Sequence, residues 1–162
     1  MTDRKSFWAW CMESEEPTDA DRTQLAKELS ERYGTAVTAH PVPKAEDAEL
    51  RAPRIKIPDP ISDWCSTSTY ERAAYAYGAH FTERVRAFNL EFPNPPDVVA
   101  HPRTEDEIVA TLDWCDANQY IAVPYGGGSS VVWGLNPPED RGPTVIISLD
   151  RLDQVIEQSY SR

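Results

Sequence analysis

The segment that most constrains the fold of this chain runs from Tyr120 to Leu135 and reads YIAVPYGGGSSVVWGL. A β-prone apolar run, 120–123, leads into a Pro-Tyr-Gly-Gly-Gly-Ser-Ser turn, and a second apolar run, 131–135, leaves it. Three consecutive glycines can adopt positive φ angles and bring bare backbone close to a ligand. Successive backbone N–H groups in such a turn form a concavity that binds an anion. The segment therefore predicts a phosphate-binding turn.

The surroundings of this turn carry little charge in the sequence. Between Ala117 and Pro138 the ionisable residues are tyrosines. We therefore expect an anion to meet backbone dipoles and the hydroxyls of Ser129 and Ser130, without help from a cation. GxGxxG would need glycine at Val131, and GxxxxGK[ST] is missing from the sequence, so neither common nucleotide fingerprint is present. For the triplet alone, a flexible hairpin turn or hinge is the alternative interpretation.

Length and charge limit the classes of function. The 162 residues are 40% hydrophobic, which is enough for one core, and one domain is the simplest count. The formal net charge of −11 argues against binding to the phosphate backbone of nucleic acids, which needs clustered Lys and Arg. The same charge disfavours an anionic membrane surface.

The cysteines and the N-terminus indicate a cellular setting. Cys11, Cys65 and Cys115 are isolated and in no CxxC spacing, so a disulfide framework or a metal site is not expected. The N-terminal residues lack an apolar run of signal-peptide length, and no run of 18 apolar residues occurs, so no membrane span is predicted. A reducing cytoplasmic location fits best.

The first part of the chain, 1–91, is predicted to be a helical and proline-rich leader. The aromatic cluster Phe7, Trp8 and Trp10 is typical of a segment packed onto a core. A helix is predicted over 18–33, capped by Thr18 or Asp19, with Leu25, Ala26, Leu29 and Tyr33 on one face and Gly34 at its end. Residues 35–62 contain five prolines and predict an extended arm. A second helix is predicted over 69–87, with Gly78 weakening it.

The second part, 92–162, predicts a β-α-β unit. Val98 to Ala100 reads as a short strand, and Thr104 with Glu107 forms a capping box for the next helix. That helix is predicted to end near Asn118 and to be followed by a strand over 120–123, with the glycine turn at its exit. TVIISL, 144–149, is the clearest buried strand, and alternation continues over 151–157. The apolar face of the helix is predicted to consist of Ile108, Val109, Leu112 and Cys115.

The chain resembles a family of flavoenzymes over nearly its whole length. It is similar to the N-terminal part of FAD-binding oxidoreductases of the p-cresol methylhydroxylase and vanillyl-alcohol oxidase type, most closely to the alkylglycerone-phosphate synthase branch. The order and spacing of several motifs together carry this resemblance. These motifs are Phe7-Trp8-Ala9-Trp10, residues 66–72, Tyr77-Gly78-Ala79-His80, residues 92–99, Pro102 with the 105–108 helix start, residues 124–132, and residues 145–149 with Leu152.

The resemblance implies a cofactor and a set of residues that bind it. In that family the corresponding turn binds the diphosphate of FAD, and some members tether the flavin through a histidine in or beside the turn. Here the histidines are His40, His80 and His101, so the resemblance implies FAD bound non-covalently. Trp133 stands where this branch usually has glycine. The implied cofactor-binding residues are Pro124, Tyr125, Gly126, Gly127, Gly128, Ser129, Ser130 and Val131.

The resemblance also implies that the chain is one part of a larger arrangement. In the family, a second FAD-contacting segment and a domain with the catalytic groups follow the Leu152 region. We therefore expect an α+β, N-terminal portion of the FAD-binding domain, with weak flavin affinity and no turnover alone, and we assign no catalytic or metal-binding residue. The expected partners are FAD and either a complementing C-terminal chain or a second copy. The alternative is a non-catalytic interaction module or a remnant that needs a complementing chain.

Overall fold

Four short strands form one sheet whose order does not follow the chain. The structure, a computed structural model, describes residues 3–139 and 141–155. Within these residues the strand order is β1-β2-β4-β3, with β1 antiparallel to β2 and the other two pairings parallel. The strands are β1 (Cys65–Ser66), β2 (Val98–Ala100), β3 (Ile121–Tyr125) and β4 (Thr144–Ser148).

Strand β4 lies between the two strands of the predicted β-α-β unit. Val98 of β2 pairs with Val145, and Ile121 of β3 pairs with Thr144. All five residues of β4 are buried, as the apolar run predicted. Alternate residues point to opposite faces of the sheet, so Ile146 joins one core cluster and Val145 joins the other. The mixed α+β class is thereby confirmed.

The first helix has the predicted ends and a less buried face than predicted. Helix α1 spans Asp19–Tyr33, Thr18 caps it by accepting from the Asp21 N–H, and Gly34 ends it with a φ of 63°. In the predicted apolar face, Ala26 is buried, whereas the exposed fractions of Leu25 and Tyr33 are 54% and 66%. The i, i+4 spacing identified the helix, but the amount of surface it buries was overestimated.

The predicted helix over 69–87 is two helices. Helix α2 spans Thr69–Ala74 and α3 spans Phe81–Phe88. Between them Tyr75, Ala76 and Tyr77 are buried. The break is tertiary in origin, because the Ala79 N–H donates to the carbonyl oxygen of Ser130 at 2.7 Å instead of to its own helix.

Helix α4, Glu105–Ala117, corrects two details of the prediction. Val109 and Leu112 are 54% and 44% exposed, and Thr111 and Cys115 form the buried face. The predicted capping box is half formed. Thr104 accepts from the Glu107 N–H, but the Glu107 carboxylate accepts from the Arg103 N–H at 2.7 Å.

The proline-rich arm, 35–62, is mostly extended, with two short 3-10 helical turns at Ala45–Asp47 and Asp59–Trp64. It is fixed to the sheet by a buried carboxylate. Asp97 accepts from Arg51 at 2.5 Å, from Arg54 at 2.8 Å, and from the Thr144 N–H at 2.9 Å. Burial alone would raise the pKa of Asp97, but the hydrogen bonds from the two arginines hold it well below its usual range.

The boundaries near the C-terminus differ slightly from the prediction. Strand β3 extends to Tyr125 rather than ending at 123, and β4 ends at Ser148 rather than at 149. Residues 149–155 form a turn and irregular backbone instead of the predicted alternating continuation, and residues 156 and 157 lie outside the described part of the chain. Residues of both predicted parts, such as Phe7 and Ile146, share one core cluster. The division between residues 91 and 92 stays a prediction.

Candidate functional site

A cleft of about 630 Å³ lies at the carboxyl ends of the three parallel strands. His101 follows β2, Asp150 follows β4, and Gly126 follows β3, and all three line the cleft. The opposite wall comes from the N-terminal residues, including Lys5 and Trp10. This edge is where open α/β sheets bind ligands, and the volume falls in the ordinary range of about 300–1,000 Å³ for small-molecule sites.

The glycine triplet contains two kinds of position. At Gly126 and Gly127 an added Cβ would meet no atom within 4 Å, so bare backbone borders open space there. At Gly128 φ is +72°, and a Cβ would lie 2.4 Å from the hydroxyl of Tyr125. Gly128 is therefore required by the protein's own packing, whereas the first two glycines leave room for a ligand.

The carbonyl groups of the turn are held by residues far away in the sequence. The Trp10 indole N–H donates to the carbonyl oxygen of Gly127 at 3.0 Å, and the Ala79 N–H donates to that of Ser130. Gly78 permits this second contact, since a Cβ there would lie 2.4 Å from the Ser130 oxygen. Buried Tyr125 donates its hydroxyl to the carbonyl oxygen of Tyr77 at 2.9 Å. The turn is thus positioned from outside.

The amide groups of the turn have no such partners. Across residues 3–139 and 141–155, the N–H groups of 126–130 find no hydrogen-bond acceptor. Consecutive unpaired amides are the donor set that an anion needs, and two of these five residues, Gly126 and Gly127, line the cleft. This arrangement fits the diphosphate of a nucleotide cofactor.

Lys5 is a site residue that the sequence reasoning missed. Its Nζ atom lies 2.8 Å from the position that a Gly128 Cβ would take and 4.8 Å from the centre of the Tyr125 ring. Burial, with a smaller effect from the nearby Arg84, lowers the pKa of Lys5 to about 8. The structure thus brings a cation beside the turn that the sequence did not predict. Sequence spacing carries no signal for this contact, because it depends on the path of the N-terminal segment.

His101 bridges two carboxylates on the cleft wall and offsets part of their charge. Its Nε2 atom lies 2.8 Å from Glu71 and its Nδ1 atom lies 3.1 Å from Asp150. Burial alone would lower the pKa of His101, but the hydrogen bonds to Asp150 and Glu71 outweigh it and raise the pKa to about 9. Tyr75 also donates its hydroxyl to Asp150 at 3.1 Å. At neutral pH the imidazolium offsets charge that would otherwise repel an anion.

Comparison with known proteins identifies the family. Residues 96–162 match the sequence model of a family described as FAD binding domain. This matched region begins just before β2 and contains the glycine turn with its unpaired amides.

These residues belong to the FAD-binding domain family.

The curated relatives with similar sequences are alkyldihydroxyacetonephosphate synthases. That of Trypanosoma brucei brucei is 26% identical over 88 residues, which are 54% of this chain and 14% of the relative. That of Dictyostelium discoideum is 23% identical over 100 residues, covering 62% of this chain and 16% of the relative. The Caenorhabditis elegans enzyme is 34% identical over 68 residues, which are 41% of this chain and 11% of the relative. The chain thus spans about one seventh of the length of these relatives.

Solved structures share the fold. One titled alkyldihydroxyacetonephosphate synthase in P1 superposes with a TM-score of 0.70 and 18% identity, covering 82% of this chain and 27% of that chain. A second structure, titled alkyldihydroxyacetonephosphate synthase in P212121, superposes with a TM-score of 0.65 and 19% identity. It covers 74% of this chain and 24% of that chain. The first superposition covers more of this chain than the FAD-binding domain alone contains, so the fold likeness extends into residues before 96.

The predicted cofactor-binding residues occupy different positions around the glycine turn. Gly126 and Gly127 line the cleft. Tyr125 and Gly128 are buried beneath it, and Ser130 is half-buried and accepts from the Gly134 N–H at 3.1 Å. Pro124, Ser129 and Val131 are exposed.

Trp133 lies outside the cleft lining. It has a φ of 58°, in the left-handed region that favours glycine. Its indole packs against His80 with ring centroids 4.8 Å apart, and it does not crowd the turn from the cleft side. His80 itself caps α3, since its ring accepts from the Thr82 N–H, which is a structural role.

Two further observations concern metals and membranes. Over residues 3–139 and 141–155, no three His, Cys, Asp or Glu side chains are grouped as a metal site would require. A search of the same residues finds no helix with the length and apolar character needed to cross a membrane. Cys11, Cys65 and Cys115 carry free thiols.

Proposed function

We propose that the chain binds FAD non-covalently, with the diphosphate on the amides of residues 126–130. The observation that carries this proposal is the run of five consecutive N–H groups without acceptors, which begins at Gly126 and Gly127 on the cleft lining. Phosphate oxygens are strong acceptors and carry the charge that oriented amides favour. Membership of residues 96–162 in the FAD-binding domain family supports the choice of nucleotide.

The state of the histidines supports a non-covalent cofactor. His101 lines the cleft, but each of its ring nitrogens is engaged by a carboxylate. The Nδ1 atom of His80 is engaged by Thr82 at the start of α3, and His80 does not line the cleft. His40 is exposed on the extended arm and does not line the cleft. These three residues are thus occupied or distant, and we assign none of them a bond to the flavin.

We further propose that the chain supplies the FAD-binding part of a flavoprotein similar to the alkyldihydroxyacetonephosphate synthases. When bound, the flavin supplies the electron chemistry, and the protein binds and orients it. The described residues at the cleft hold the turn, exclude water from the buried Tyr125, and balance charge through His101. We assign no catalytic role among them and expect the 162-residue chain alone to show no turnover.

Replacing Gly127 by valine tests the binding proposal. A Cβ at this position meets no protein atom within 4 Å, so Gly127→Val adds bulk to the cleft without disturbing the fold. We expect FAD affinity to fall at least about tenfold, as equilibrium dialysis against FAD would measure. Ala36→Val also ends in valine, adding two carbon atoms where Gly127→Val adds three, at an exposed position of the extended arm, and serves as the control.

The outcome separates binding from chain flexibility. If Gly127→Val retains FAD as well as the parent chain and the Ala36→Val control do, the triplet is a hinge or a simple turn and the proposal fails. Far-ultraviolet circular dichroism of all three proteins checks that their folds are equal.

Exposed apolar side chains favour a second proposal, association with another chain. Val131, Val132 and Trp133 are 57%, 76% and 55% exposed, and Phe81, which follows His80, is 77% exposed. Strand β3 also lies at one edge of the sheet, where unpaired backbone groups invite further pairing. We propose self-association or a complementing chain at this region. Sedimentation velocity across a concentration series tests self-association, and a monomer at every concentration would contradict it.

A further inference from the structure

Lys5 differs from the other N-terminal cation of the cleft. Arg4 forms ion pairs with Glu13 at 2.9 Å and with Glu46 at 3.9 Å. The Lys5 ammonium has neither an ion-pair nor a hydrogen-bond partner in the described part of the chain, and it lies 4.8 Å from the centre of the Tyr125 ring and 5.7 Å from that of Tyr75. A half-buried cation next to an anion-binding turn is therefore left without a counter-charge.

The backbone around Lys5 is fixed, so the position of its ammonium follows from the fold. Tyr70 donates its hydroxyl to the carbonyl oxygen of Lys5 at 2.7 Å. Lys5 also forms a β-bridge with Met12, and the neighbouring Ser6 N–H donates to Cys11 at 2.9 Å. These bonds close a small loop whose Trp10 reaches the glycine turn. The loop thus docks on the turn through Trp10 and brings Lys5 beside Gly128.

The electrostatic surroundings of the Lys5 ammonium also favour binding of an anion. Burial and the charge of Arg84 both disfavour its protonated form. Asp150, the nearby carboxylate with an opposing effect, is already bonded to His101 and Tyr75. A bound anion would relieve this unpaired charge, because a partly desolvated cation gains most from a direct counter-ion.

We propose that Lys5 is the counter-ion of the FAD diphosphate and that residues 3–12 are part of the cofactor site. The inference rests on the proposed function and adds to it. The site then extends beyond the matched region 96–162 to the opposite end of the chain, and the amides of 126–130 and the Lys5 ammonium bind the same phosphates.

A purely structural role for Lys5 is the competing explanation. Its ammonium lies over two tyrosine rings, and such cation–π contacts stabilise a fold at partly exposed sites. If Lys5 has only a structural role, its removal would change the stability of the ligand-free chain and would change the affinity for all flavin ligands alike. A counter-ion would affect ligands that carry the diphosphate and leave others unchanged. The ligand series decides between the two.

The experiment compares Lys5→Gln, Lys5→Arg and Lys27→Gln in the full chain by equilibrium dialysis. The probes are FAD, ADP and riboflavin. ADP carries the diphosphate but lacks the flavin, and riboflavin carries the flavin ring but lacks phosphate. We expect Lys5→Gln to weaken FAD and ADP binding roughly tenfold and to leave riboflavin binding unchanged. Lys5→Arg keeps the charge and is expected to keep most of the affinity. Lys27→Gln removes an equal charge from an exposed position on α1 and is expected to change nothing.

Salt gives a second readout. The affinity of the parent chain for FAD is expected to fall as salt is raised from about 50 to about 300 mM, because salt screens ion contacts. The affinity of Lys5→Gln for FAD is expected to fall less, because one ion contact has been removed. Equal salt dependence of the two proteins would count against the counter-ion.

The outcomes distinguish the two proposals. If the parent chain does not bind FAD, the proposed function fails and the inference fails with it. If the parent binds FAD and Lys5→Gln binds it equally well, the inference alone is overturned. Equal losses for FAD and riboflavin would show that Lys5 shapes the cleft, and would also overturn the inference.

Discussion

Gly128 shows how a single residue ties the turn to the protein. Its φ of +72° and the Tyr125 hydroxyl above its Cα exclude any side chain. Its neighbour Gly127 has open space, so the two adjacent glycines have different roles: one is needed by the fold and the other leaves room for a ligand.

We expect Gly128→Ala to lower the free energy of unfolding by about 1–3 kcal/mol, because a residue with a Cβ is strained at positive φ and would meet Tyr125. Gly127→Ala is the matched control and is expected to change it by less than about 0.5 kcal/mol. Urea unfolding monitored by tryptophan fluorescence measures both. Equal midpoints for the two variants would show that the packing around Gly128 can relax.

At the residue scale, local chemistry was predictable and long-range contacts were not. The prolyl-tyrosyl-glycine turn could be recognised because glycine and proline restrict the backbone directly. Lys5 could not, since its contact with the turn depends on how the N-terminal loop docks. Neither could the role of His101, whose two carboxylate partners come from α2 and from the segment after β4.

At the scale of elements, the extended arm depends on one carboxylate in the sheet layer. Asp97 is fully buried and joins Arg51 and Arg54 of the arm to the first residue of β4, Thr144. The same two arginines also donate to backbone carbonyl oxygens, Arg51 to Pro95 at 2.5 Å and Arg54 to Gly142 at 2.8 Å. Proline gives the arm its extended path, and Asp97 gives it a fixed position.

We expect Asp97→Asn to cost about 2–4 kcal/mol of stability, because an amide cannot accept from every donor that the carboxylate serves and leaves two arginines without their buried negative charge. Asp113→Asn, at an exposed site on α4, removes the same charge and is expected to be neutral within about 0.5 kcal/mol. Guanidinium chloride unfolding of both variants is the measurement. A small, equal effect would show that solvent screens the arginines.

Elements with strong local signals were predicted and those shaped by tertiary contacts were not. The apolar run of β4 and the Thr104 cap of α4 correspond closely to what the structure shows. The break between α2 and α3 arises from the contact of Gly78 and Ala79 with Ser130, which no helical periodicity can reveal. The strand order was equally hidden, because both β2 and β3 have the same apolar character.

At the scale of the whole molecule, the charge state of His101 links stability to pH. The pKa of His101 is raised in the folded protein to about 9 by its two carboxylate partners, from a usual value of 6.5. The stabilisation is therefore complete below about pH 6.5 and is lost as the pH rises through 9. Asp150 sets the acid limit. Burial alone would raise its pKa, but the His101 hydrogen bond lowers it to about 2, so its contribution is lost as the pH falls from about 4 to 2.

We expect the chain to lose on the order of 1–3 kcal/mol of stability between pH 6 and pH 9 through this histidine. In His101→Gln this part of the slope is expected to disappear, whereas His40→Gln, at an exposed position, is expected to retain it. Urea midpoints measured at intervals of pH for the three proteins provide the comparison. A parallel slope in His101→Gln would place the titrating group elsewhere.

The position of β4 in the sheet has a consequence for how the chain is made. Strands β2 and β3 leave the ribosome first but have no ladder with each other, since their common neighbour is synthesised after both. Until β4 emerges, the nascent polypeptide contains two apolar strands, β2 and β3, that lack their pairing partner. The glycine turn, which is synthesised between β3 and β4, reaches its final surroundings when β4 pairs with both strands, so the sheet is completed only after its last strand is made.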